Sequence, residues 1–101
     1  MKDAVKSYLM KEFGDASVAA EIYAEYRSST RPKIDESAQA LSARDFDLLD
    51  RAAHALKGNA LMIGDPDALA AALALRDAAK ALDAAAAQAA LARVRAVYDA
   101  D

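Results

Sequence analysis

The chain holds one histidine, His54, inside the run Ala53-His54-Ala55-Leu56-Lys57-Gly58-Asn59-Ala60-Leu61-Met62-Ile63-Gly64, which also contains two of its three glycines. An imidazole can ligate a metal, move a proton or attack an electrophile through a ring nitrogen. A metal site needs further ligands, and a helical register brings only Asp50 and Asp47 near, so no metal is expected. Hydrolytic chemistry is equally poorly served. The carboxylates are scattered over polar faces, there is no glycine-rich phosphate loop, and no second histidine could serve a serine or tyrosine as base. With no cysteine, a thiolate nucleophile is excluded as well. Nothing in the chain could bind ATP, so any phosphoryl group it carried would come from another protein.

On a helical wheel Phe46, Leu49, Ala53, Leu56, Ala60 and Ile63 fall on one stripe, the core face of an amphipathic helix. His54 lies about 130° from the centre of that stripe, in the sector of Asp47, Asp50, Arg51, Lys57, Gly58 and Leu61. It faces outward. A glycine inside a helix costs about 1 kcal/mol relative to alanine, so Gly58 requires a reason. Helical side chains tilt toward the N-terminus, and a side chain at position 58 would lie over the imidazole. Glycine leaves the ring uncovered, while Lys57, three residues on, can set an ammonium beside anything attached to it. This local chemistry suits an anionic group on the ring.

His54, Leu56, Lys57, Gly58 and the later Gly64 resemble the signature of histidine-containing phosphotransfer (HPt) domains: His-x-Leu-Lys-Gly, an apolar stretch and a second glycine. The resemblance implies that His54 takes a phosphoryl group from the aspartyl phosphate of a response-regulator receiver domain and passes it to another receiver in a multistep phosphorelay. It implies that Lys57 stabilises the charge on the phosphoryl oxygens and that Gly58 clears access. No cofactor is implied for this chain, magnesium being held by the receiver. Receivers, and a hybrid histidine kinase, would be the partners. Arg51, Leu61 and Met62 are candidates for the docking surface, with burial in the core as the alternative for Leu61. Two positions depart from the family pattern. A small residue is common where Leu61 stands, and the Leu-Glu pair of many members reads Leu75-Arg76 here. Asn59, often a small hydroxylated residue in the family, is expected to make a hydrogen bond within the bundle.

The elements that would position these residues are legible in turn. Residues 3 to 13 predict a short helix with Val5, Tyr8, Leu9 and Phe13 on one side and Gly14 as its cap, lidding one end of the molecule. From Ser17 to Leu41 the positions Val18, Ile22, Tyr26, Thr30, Ile34, Ser37 and Leu41 keep one helical phase across Pro32. That favours one long helix kinked at the proline over two helices with Thr30 as a cap. Asp45 caps the central helix, which stops at Gly64. Asp65-Pro66 starts a fourth helix with Leu69, Leu73, Leu75 and Leu82 as its core face. The last apolar set, Ala84, Ala87, Leu91, Val94 and Tyr98, is out of phase with Leu75 and Leu82. A break is therefore expected between Lys80 and Asp83, with Asp83 as the next cap.

Short loops favour antiparallel neighbours, so the expected fold is all-α: one domain over residues 1–101, an antiparallel up-down four-helix bundle with a short extra N-terminal helix. At 101 residues and 55% hydrophobic content there is material for one core. A net charge of −3 offers no general attraction to nucleic acid or anionic membrane, and neither a membrane span nor a signal segment is visible. A monomeric cytoplasmic protein is expected. The alternative function is a non-catalytic HPt-like module that binds a receiver or kinase without phosphotransfer. The dimerisation and phosphoacceptor part of a histidine kinase fits less well, because that family's histidine is usually followed by an acidic residue and soon by proline. Here Ala55 follows, and no proline appears until Pro66.

Overall fold

Capping decides where each helix begins and ends. The computed structural model describes residues 1–100, with helices α1 (Asp3–Phe13), α2 (Ala16–Ser42), α3 (Phe46–Ile63), α4 (Pro66–Lys80) and α5 (Ala84–Asp99) and no strand among the described residues. The carboxylates of Asp15, Asp45, Asp65 and Asp83 each accept a hydrogen bond from backbone N–H groups in the first turn that follows them. Gly14 and Gly64 end α1 and α3 in the left-handed region. Asp15 is the cap that the reading from Ser17 passed over.

Pro32 does not split α2, which is helical from Ala16 to Ser42. Both Pro32 and Ser28, whose carbonyl loses its helical donor to the proline, are exposed, so water can satisfy that carbonyl. Thr30 is buried inside the helix and caps nothing. At about 1.5 Å per residue α2 is about 40 Å long, which accounts for the 42 Å long axis of the molecule.

Helices α2, α3, α4 and α5 pack in cyclic order, each against two of the others, while α1 lies across α2 and α3. The main core is made of Leu41, Leu49, Leu56, Leu75, Leu91, Val94 and Tyr98 with many alanines between them. A smaller cluster, Val5, Leu9, Ala19, Tyr26 and Ile63, lies under α1. Lys2 Nζ reaches the buried carboxylate of Asp65 at 2.9 Å and ties the start of α1 to the start of α4.

Four apolar expectations are corrected: Phe13, Val18, Leu73 and Leu82 are exposed. Phe13 is exposed at the end of α1. Leu73 is 40% exposed, and Leu82 is 69% exposed in the turn after α4 with φ 55°. Residues two apart differ by about 200° on a helix, so Leu73 and Leu75 cannot share a face. The buried face of α4 is instead Ala71, Ala72, Leu75, Ala78 and Ala79. Val18 is exposed and Phe46 half-buried, each at the margin of its predicted stripe.

Candidate functional site

The site is built on α3. Its inner face, Leu49, Ala52, Ala53, Leu56, Ala60 and Ile63, is buried and fixes the rotation of the helix. That rotation leaves His54 exposed beside Asp47, Arg51, Gly58, Leu61 and Met62, with Asp50 and Lys57 half-buried at the edge. Leu61 is 50% exposed, which places it on the surface and outside the core. Among the described residues, no hydrogen bond or ion pair engages the imidazole of His54 or the ammonium of Lys57. Both are available to an incoming group.

Asn59, on the flank of α3 facing α2, donates from Nδ2 to Thr30 Oγ1 at 3.1 Å. This is the bundle hydrogen bond expected of it, and it satisfies a hydroxyl that burial would otherwise leave costly. On the opposite flank Arg76 of α4 places Nε 3.2 Å from Asp50 Oδ1. Together these bonds brace α3 against both neighbours, one turn to either side of the histidine.

Gly58 has no packing reason within the molecule. A Cβ built there meets nothing within 4 Å, so alanine would fit. Gly64 is the opposite case: φ is 63° and a Cβ would fall inside the ring of Tyr8. The glycine at the helix end is thus required by the fold, and the one in the histidine's turn is not.

His54 stands on a convex helix face, whereas small molecules are held in concave sites. Two large grooves, of about 610 and 570 Å³, run along α2 and α5 and include neither His54 nor Lys57. Among the described residues, no group of three or more His, Cys, Asp or Glu side chains is placed to hold a metal ion. An imidazole exposed on a convex surface is open to approach by another macromolecule.

The family model described as Hpt domain matches residues 21–100, from the second turn of α2 to the end of the described chain. This chain belongs to the Hpt domain family. As an Hpt domain it is a histidine phosphotransfer module of the phosphorelay class, whose members interact with response-regulator receiver domains. Helix α1 and the first turn of α2 lie outside the matched residues. No curated protein and no solved structure matches the chain. Among the described residues, no helix of this Hpt domain is long and apolar enough to cross a membrane.

Sequence reasoning placed His54, Lys57, Gly58, Arg51, Leu61 and Met62 on one helix, and the structure sets all of them on or beside its outer face. It missed the pairing of Arg76 with Asp50 and the exposure of Leu73. Arg76 had a signal, since it stands where many Hpt domains carry an acid. Leu73 had one too, in its phase relative to Leu75.

Proposed function

We propose that this protein accepts a phosphoryl group on His54 from the aspartyl phosphate of a receiver domain and passes it to a second receiver. The observation that carries this reading is the uncovered, unpaired imidazole next to an interior glycine that nothing inside the chain requires. The unprotonated Nε2, the ring nitrogen farther from the backbone, attacks phosphorus in line. The N–P bond forms as the P–O bond to the receiver's aspartate breaks, and that aspartate leaves as a carboxylate. Attack at the receiver of the second partner reverses these bond changes. Lys57 offsets charge on the equatorial oxygens, and Gly58 lets the receiver's backbone approach.

Arg51, Leu61 and Met62 form the rim on which the receiver packs, two apolar side chains and one cation around the reacting nitrogen. No cofactor acts on this chain, and magnesium belongs to the receiver. In this reading residues 1–101 are one domain in which α2 to α5 run up and down in antiparallel order, consistent with their short turns. It works as a cytoplasmic monomer beside a hybrid kinase and its receivers.

The test is transfer of label from a phosphorylated receiver of the same organism to the wild-type protein and to His54→Gln. The expected result is acid-labile, base-stable label on the wild type and none on the variant. If a receiver binds but no receiver transfers label, the protein is a binding module and the proposal is wrong.

A further inference from the structure

The Asp50–Arg76 ion pair stands next to the phosphoacceptor and has no part in the chemistry given above. Arg76 Nε is 3.2 Å from Asp50 Oδ1, with the two side chains 20% and 30% exposed. Asp50 lies one turn before His54 on the same helix. Because helical side chains lean toward the N-terminus, the imidazole of His54 lies over the turn that bears Asp50. The guanidinium of Arg76 is thereby held at the edge of the space that a group on the imidazole would fill. Lys57, on the same flank of α3 as Asp50 and about two turns beyond it, borders that space from the C-terminal side. The remaining charges on this face are Asp47 and Arg51 on α3 and Asp77 and Lys80 on α4, all exposed.

We infer that Arg76 is a second cation for the phosphoryl group, and that it leaves Asp50 for the phosphoryl oxygens when His54 is modified. The inference rests on the phosphotransfer reading of His54 and assigns it a residue that this reading does not use. A carboxylate offers Arg76 one negative charge, whereas a phosphoryl group offers nearly two and three acceptor oxygens in a geometry suited to a guanidinium. With 20% and 30% of the two side chains still exposed, water can replace the guanidinium at Asp50 as it moves. Asp50, released, is exposed enough to be solvated. It acts as a positioning residue: before transfer it keeps the guanidinium from roaming in solvent, and after transfer it competes with the phosphoryl group for it.

The exchange is tested on the whole protein phosphorylated with phosphoramidate, in which the N–P bond to His54 forms as the donor's P–N bond breaks and ammonia leaves. Phosphorus NMR follows the second ionisation of the phosphoryl group, and proton–nitrogen NMR follows the Nε–H of Arg76. Labelling is expected to move the Arg76 Nε–H resonance. Arg76→Gln is expected to raise the phosphoryl midpoint by about half a pH unit, because a cation at roughly 5 Å favours the dianion. Arg76→Lys keeps most of the wild-type value and stands in should the glutamine variant fail to fold. Asp50→Asn lowers the midpoint, and lowers it less when Arg76→Gln is also present. A midpoint unchanged by Arg76→Gln, or an Arg76 resonance indifferent to labelling, overturns the inference, as does a His54 that phosphoramidate cannot label. Transfer from receivers is read separately. Its absence in a protein that labels chemically and shows the exchange would overturn the phosphotransfer reading alone.

Discussion

Gly58, inside α3, and Gly64, the cap that ends it, lie six residues apart in opposite surroundings. Gly64 is held by the fold, because its backbone is left-handed and the ring of Tyr8 occupies the place of a side chain. Gly58 has ordinary helical backbone and open space around it, so the fold would be better served by alanine. In the proposed reading, that uncompensated cost is explained by the approach of a receiver to this surface. The end of α3 under α1 is built for stability, and the turn around His54 is, in the proposed reading, built for access.

Substitutions that separate the two regions sharpen this contrast. The largest stability effect is expected for Gly64→Ala. Left-handed backbone and the collision with Tyr8 together should cost about 2–4 kcal/mol in chemical unfolding. Combining it with Tyr8→Ala isolates the backbone term, and the added cost of the alanine at position 64 should then fall to about 1 kcal/mol. An undiminished cost would mean that the ring does not oppose a side chain there.

Asp65→Ala follows. It removes the N-cap of α4, whose carboxylate accepts from the N–H groups of Asp67 and Ala68, together with the pair to Lys2. The expected loss is about 1–2 kcal/mol, read from the same unfolding curves. Transfer through His54 should be unaffected, since Asp65 caps the next helix and belongs to the stable end.

Gly58→Ala is the smallest change in stability and the most informative, because its sign is reversed. Helix propensity predicts a gain of up to about 1 kcal/mol, while transfer from a receiver should slow roughly tenfold as the added methyl group stands off the partner. A variant both more stable and fully active would break the contrast and return Gly58 to an accident of sequence.

Much of this was open to reading in one dimension. Asp45, Asp65 and Asp83 announced three helix starts, and Gly14 and Gly64 two helix ends, because capping is a matter of a few adjacent residues. The outward phase of His54 followed from the spacing of α3's apolar residues alone. Leu73 and Leu82 misled because leucine outweighs alanine on any scale of hydrophobicity. In α4 the buried stripe is mostly alanine, and close approach of neighbouring helices gives small side chains the inner positions.

What the sequence alone determined, then, rests on residues within one or two turns of each other: the caps that start α3, α4 and α5, the glycines that end α1 and α3, and the exposed phase of His54 with Lys57 and Gly58 beside it. Only the tertiary structure decided the contacts between distant segments. Arg27 and Tyr98 clamp α2 to α5, the guanidinium donating to the Tyr98 carbonyl at 2.6 Å and the phenol returning a bond to the Arg27 carbonyl at 3.2 Å. Lys2 finds Asp65, Asn59 finds Thr30, Tyr8 covers Gly64, and Arg76 finds Asp50 one turn from His54. No local periodicity encodes such pairs, because each depends on the rotation and height of two helices set by packing across the whole core.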